Sequence, residues 1–188
     1  QILKKMIHAA LAASALSLSL AAAAHADPIK IGFIGELSGP AAAVGQDMLD
    51  GFNLLLEEQG GKLGGHAIEL IREDSQLKPD VARQAALRLV EKEKVPIITG
   101  VSFSNVMMAI HKYVTDHEVF LVGSNAGPSQ IAGKQCSPYQ FITSWQGDQA
   151  AEAVGKYAQE KGYKKVVVLA PNYQAGKDIV NGFKRYYK

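Results

Sequence analysis

Between Pro28 and Lys188 the apolar residues fall into two alternating spacings. Ile29, Ile31 and Phe33 recur at every second position, the period of a strand that buries one face, and Ile34 extends the run. Val44, Met48, Leu49, Phe52, Leu55 and Leu56 then recur at helical spacing, and Gly60-Gly61 supplies a stop. "AIELIRED" predicts a second strand, and "KPDVARQAALRLVEKEK" a helix with Pro79 in its first turn and Val81, Ala85, Leu89 and Val90 on one face. "VPIITG" predicts a third strand, Val106, Met107, Ile110 and Val114 a third helix, and "VFLV" a fourth strand. After a Gly/Ser/Pro-rich stretch over 123–138 the alternation restarts with "YQFIT" as a strand and "GDQAAEAVGKYAQEKG" as a helix closed by Gly162. "KKVVVLA" predicts a further strand, and a last helix begins near Gly176. Strands separated by helices imply parallel β-α-β units with right-handed crossovers, an α/β fold. The stretch 123–138 marks the boundary between two such units, 27–138 and 139–188.

The first 26 residues do not share this alternation. Lys4 and Lys5 precede a nearly unbroken small or apolar run from Met6 to Ala24, and Ala24-His25-Ala26 presents the small-x-small pattern read by signal peptidase. The run is near the length that spans a bilayer, so a membrane anchor is the competing reading. Its Ala/Ser-rich composition and cleavage pattern favour a cleaved signal over residues 1–26, and hence a soluble product exported to the periplasm. At the other end, "AGKDIVNGFKRYYK" reads as a helix still running at Lys188 with no Gly or Asn stop, and the first residue is Gln; both ends read as cut.

Removal of the signal takes away two lysines and no acids, leaving 18 Lys and Arg against 18 Asp and Glu. A chain without net charge offers little to a nucleic-acid duplex, which is held through replaced counterions. Cys136 is the sole cysteine, so no internal disulfide is expected. It reads either as an unpaired buried thiol or as half of a pair whose partner lies outside this sequence.

The two kinds of turn differ in composition. Those leaving strands read "GELSGPAAAVG", "GVSFSN", "GSNAGPS" and "APNYQAGKD", rich in Gly, Ser, Asn and Pro and poor in charge. Those returning from helices, such as "KEKV", "TDHE" and "EKGYKK", are mostly charged. In open parallel sheets ligands bind outside the carboxyl ends of the strands, where helix N-termini point. A polar but uncharged lining there suits a small ligand whose charge is met by N–H dipoles and hydroxyls.

Catalytic and cofactor patterns are weak. Gly32, Gly35 and Gly39 do not make a dinucleotide fingerprint, and "NYQAGKD" lacks the upstream Gly and following Ser/Thr of a phosphate loop. His66, His111 and His117 are expected to be solvated, and no metal-ligand spacing is present. "GVSFSN" places Ser102 two residues after Gly100 without the second Gly of a nucleophile elbow, and no His follows Ser124. No cofactor and no enzymatic activity are expected. Binding remains. Ser104 and Asn105 are good N-cap types at the start of the third helix, and capping alone is one account of them. The other adds a carboxylate, held by the hydroxyl and by first-turn N–H groups. Hydrogen bonds to a charged group contribute about 1.5–3 kcal/mol each, so two or three with apolar burial approach the roughly 8 kcal/mol of micromolar affinity. Phe103, Trp145 and Tyr173 are the aromatics placed to cover an apolar body, with ordinary core packing the alternative for each.

With these segments assembled, Pro28 to Lys188 resembles a type I periplasmic solute-binding protein of the leucine/isoleucine/valine-binding family, the receptors of ABC transporters. The resemblance rests on "IKIGFIGELSGPAAAVGQDMLDGFNL", "ITGVSFSNVMMAI", "GSNAGPSQIAGKQCSPYQFITSWQGDQ" and "KKVVVLAPNYQAGKD", in that order and spacing. It implies doubly wound parallel sheets in two Rossmann-like lobes closing on a ligand, with the second lobe incomplete here because family members are about twice as long. It implies that Ser104 meets a ligand carboxylate, that Ser124 and Ala126 supply further donors, and that Tyr173, or Ala175 in a shifted register, covers the ligand. Val44 stands where several members carry an aromatic, and the acid that meets an amino-acid ammonium would lie beyond the visible chain. The implied ligand is therefore a branched-chain or other amino acid, or an aromatic carboxylate. The implied partners are membrane permease subunits, with ATPase subunits as separate chains and the receptor a monomer. A periplasmic sensor of the same fold, regulating a signalling partner, is the alternative role.

Overall fold

The alternating residues Ile29–Gly35 form the first strand, β1, whose second half is wholly buried. The structure, a computed structural model, describes residues 27–188; the export signal read over 1–26 lies outside the described residues. After β1 come α1 (Ala42–Glu58), β2 (Lys62–Leu63), β3 (His66–Asp74), α2 (Pro79–Leu87), β4 (Ile97–Gly100) and α3 (Ser104–Asp116). β5 (Phe120–Gly123), β6 (Gln140–Ile142), α4 (Gln149–Glu160) and α5 (Gln174–Tyr186) complete the order. The helix predicted through Lys94 departs from α-geometry after Leu87, and Arg88–Lys92 winds as a π-helical turn. This widened turn still places Leu89 and Val90 in the core.

The sheet runs β2-β3-β1-β4-β5-β6. All neighbours are parallel except β2, which pairs antiparallel with β3. β2 falls in the connection from α1 to β3, past the Gly60-Gly61 stop. Gly64 and Gly65 both adopt positive φ (58° and 87°), the conformation a two-residue hairpin needs. β1 lies between β3 and β4, so the chain leaves it first to one side and then to the other. The carboxyl ends of β1 and β4 therefore flank the switch point of the sheet, where such folds open a crevice.

The main core lies where Ile34, Ile98 and Leu121 of the sheet meet α2, the π-turn and α3. Leu89, Val106, Met107, Ile110 and Val114 complete it. Ala82, Ala85 and Ala86 let α2 approach closely, and each fully buried large side chain contributes about 1.5–3 kcal/mol. A smaller cluster joins α4 to α5 through Ala151, Ala158 and Phe183. Arg185 ties the same pair together through Asp148 (2.9 Å) and Glu152.

Three expectations change. Lys164–Ala170 carries no strand pairing, and Val167 and Leu169 are each 95% exposed. A strand is stabilised by its ladder and by cross-strand packing, and no described segment pairs with this one. His111, expected to be solvated, is buried on α3, with Nδ1 3.0 Å from Gln140 Oε1 and Nε2 2.9 Å from the Gln135 carbonyl. The loop over 133–140 folds across that face of α3 and covers it. Cys136, in the same loop, is free and exposed rather than buried.

Candidate functional site

The turn from β4 to α3 is tightly constrained. Gly100 (φ 97°) and Val101 (φ 65°) both take left-handed backbone conformations. A Cβ on Gly100 would lie 2.5 Å from the Ile34 carbonyl oxygen. For a β-branched residue such as Val101 that conformation costs on the order of 1–3 kcal/mol. The surroundings hold it there. Val101 is fully buried, its N–H donates to the Ile34 carbonyl (2.8 Å), and its carbonyl accepts from Ala126 N (3.1 Å).

The reversal aims the next residues at the crevice. Phe103, with extended backbone, takes the N-cap position of α3, and no side chain caps the helix. The expectation that Ser104 or Asn105 caps is corrected: Ser104 is the first residue inside the helix. The first helical bond runs from Met107 N to the Phe103 carbonyl (3.0 Å), so the Ser104, Asn105 and Val106 N–H groups precede any intrahelical acceptor. Ser104 is 6% exposed. The Asn105 amide nitrogen lies 3.5 Å from the Leu77 carbonyl, while its Oδ1 is buried without a partner.

The following strand end joins this turn directly. Ser124 N donates to the Gly100 carbonyl (2.8 Å) and Asn125 Nδ2 to the Ser102 carbonyl (2.9 Å). Ser124 is exposed and Ala126 buried. Further along the chain, Tyr173 holds the N-cap position of α5 with extended backbone. Its ring meets that of Phe103, centroids 6.4 Å apart and planes at 51°, within the range of favourable aromatic pairs. The N-cap residues of two helices, each at the positive end of a dipole, thus meet through their rings. Asp178 of α5 also ties this helix to the loop after β5, accepting from Ser129 N (3.1 Å) and Ser129 Oγ (2.8 Å) as well as from Gln174 Nε2 (2.9 Å) of its own helix.

Phe103, Ser104, Asn105, Ser124, Ala126 and Tyr173 are therefore drawn to one region. Trp145 is not part of that aromatic contact. It is 61% exposed on the connection from β6 to α4, where it lines a hollow of about 200 Å3 with Gly127, Pro128, Ile131 and Ile142. Sequence reasoning missed Asn125, Ser102 and Glu36. Glu36, just past β1, is 1% exposed, and burial pushes its carboxyl above the usual carboxylate range, against a hydrogen bond from Ser102. Its one visible signal is an acid in an otherwise uncharged turn. Asp74, at the end of β3, behaves oppositely. Burial opposes its charge, but the Ser38 hydroxyl (2.5 Å) and the N–H groups of Gln76, Leu37 and Ser38 outweigh burial and lower its pKa. No group of three His, Cys, Asp or Glu suited to a metal occurs among the described residues.

Comparison with known proteins agrees with this fold. The model of a family described as periplasmic binding protein matches residues 28–188. Leu/Ile/Val-binding protein homolog 6 of Brucella abortus (strain 2308) is 35% identical over 183 residues, covering 97% of this chain and 46% of that protein. A solute-binding protein of an ABC transporter from R. palustris, solved in complex with 4-hydroxybenzoate, superposes with a TM-score of 0.76 at 36% identity. The match covers 86% of this chain and 44% of that one. A branched-chain amino acid transporter substrate binding protein from Streptococcus pneumoniae, in complex with isoleucine, gives 0.75 at 29%, covering 86% and 47%. The chain thus spans about half the length of the relatives it matches.

Proposed function

This chain belongs to the periplasmic binding protein family, a family of binding proteins rather than enzymes, and on that premise we propose that the whole protein captures a small carboxylate and delivers it to a membrane permease. The observation that carries the reading is the uncapped start of α3. Ser104 and three first-turn N–H groups stand at the switch point, opposite a second helix N-terminus. Such an arrangement compensates one negative charge without a cation, and the Phe103–Tyr173 pair offers aromatic surface to an apolar body. Ser124 and Asn125 add polar groups from the neighbouring strand end.

The ligand is a carboxylate with an apolar body, aromatic or branched. The R. palustris relative was solved with the former and the S. pneumoniae relative with the latter. Capture in the periplasm by a monomer, with ATP hydrolysed by separate chains, completes the proposal. Closure of two lobes draws on contacts from both, so the test uses the receptor with its second lobe complete. Calorimetric titration with 4-hydroxybenzoate and with L-isoleucine should show one of them binding. Ser104→Ala should weaken that binding by about tenfold or more, the loss of one hydrogen bond to a charged group. Unchanged affinity in the variant would remove Ser104 from the site.

A further inference from the structure

Among the described residues three acids are almost wholly buried, and Asp148 is held by Arg185 and Asp178 by Ser129, whereas Glu36 has no such ion pair or paired bonds. Its Oε1 is buried with no hydrogen-bond partner, and the groups that favour its anion are the Ser102 hydroxyl and its own backbone N–H. Ser102 Oγ also lies 3.0 Å from Met48 Sδ. A hydroxyl has one proton to donate. If Glu36 were a carboxylate, it and the Met48 sulfur would compete for that proton, and Oε1 would be a bare buried anion. If Glu36 carries a proton, its O–H donates to Ser102 Oγ, and the Ser102 proton is free for Met48.

The surrounding charges point the same way. α1 brings Gly45 against the Glu36 backbone and Met48 against Ser102, and the β4–α3 turn brings Ser102, all uncharged. Among the described residues the charged group acting on Glu36 is Asp74, at the end of β3, and it is held in its anionic form. A buried carboxyl that faces an anion and no cation is shifted towards its neutral form. Ser102 and Ser104 belong to the same β4–α3 turn, so a carboxylate held at the start of α3 would bring a second anion towards the turn that Glu36 touches.

We infer that Glu36 is a proton-holding residue beneath the binding site, and that capture of a carboxylate is linked to proton uptake there. The inference rests on the placement of the ligand carboxylate at Ser104. By linkage, an anion that favours the protonated form binds more weakly once pH rises above the midpoint of Glu36. Affinity then falls about tenfold for each unit by which the ligand raises that midpoint.

The test uses the receptor with both lobes and 4-hydroxybenzoate or L-isoleucine, whichever binds. Titrations run from pH 5.5 to pH 8, with buffers of different ionisation enthalpy at each pH. Wild type should lose affinity as pH rises and take up a fraction of a proton on binding, whereas Glu36→Gln, which cannot ionise, should show neither effect. A pH-independent wild type with no proton uptake would overturn the linkage. In that case Ser104→Ala still tells whether the site is correctly placed, since weakened binding there leaves the site intact and fails only the linkage. A measurement that needs neither a variant nor a ligand completes the test. The Glu36 carboxyl carbon, followed by NMR in the free wild type, should titrate above the ordinary carboxylate range, and a midpoint within that range would overturn the inference.

Discussion

Asp74 and Glu36 show how two carboxyls near one strand edge acquire opposite pH signatures. Asp74 accepts from Ser38, Leu37 and Gln76, all of which favour its anion. Its folded pKa is below the unfolded one, so its stabilisation is complete above the ordinary carboxylate range and is lost as pH falls through the folded value. Glu36 has a raised folded pKa, so its effect runs the other way, and stability declines as pH rises past the ordinary range. Urea unfolding at pH 7 and pH 3 should therefore show a larger acid-induced loss in wild type than in Asp74→Asn; equal losses would mean that the Asp74 bonds are not stabilising. Neither sign is legible in "GELSG" or "IREDSQ". The partners of Asp74 on the β1–α1 turn lie 36 and 37 positions away in sequence, and burial is a property of the packed sheet.

Glycine is where the helices reveal their packing. Gly155 of α4 lies against the backbone of Phe183 in α5, and a Cβ there would run into the Phe183 carbonyl. Gly51 of α1 faces open space. Replacing an interior helical glycine by alanine ordinarily stabilises by about 0.5–1 kcal/mol. We predict that gain for Gly51→Ala. For Gly155→Ala we predict the opposite sign, a loss of about 1–3 kcal/mol from overpacking, read from thermal unfolding; a stabilised Gly155→Ala would mean that α4 and α5 do not pack this closely. The sequence marks both residues only as glycines inside an apolar-periodic helix. The α3 N-terminus differs. The change of pattern at Gly100 and the Ser-rich start were plain in sequence, but the side chains read as caps do not cap. The left-handed pair Gly100-Val101 sets the chain direction so that Phe103 takes that position.

At the scale of the molecule, the six-stranded sheet and its helices are complete enough to bury a core, while the segment after α4 is not. Val167 and Leu169 stand 95% exposed beside Ile179 and Phe183, which line the same hollow of about 430 Å3. In the 188-residue chain, Val167→Lys with Leu169→Lys should reduce self-association in sedimentation without lowering the melting temperature, because neither side chain is buried. A lowered melting temperature would show that the segment packs. Its apolar alternation made it read as a strand, and periodicity reports what a segment needs to bury rather than whether a partner is there. The same distinction divides the whole reading. The sequence by itself determined the order of strands and helices apart from β2 and the unpaired segment 164–170, because the spacing of apolar residues is local and repeats along the chain. It also determined which end of the sheet is polar without charge, and, through four ordered motifs, the family. Only the tertiary structure decided that Phe103 meets Tyr173, that Asn125 ties two turns together, that His111 is covered, and that Glu36 is sealed beneath the crevice. Each of these depends on contacts between residues far apart in sequence, and on the water those contacts exclude.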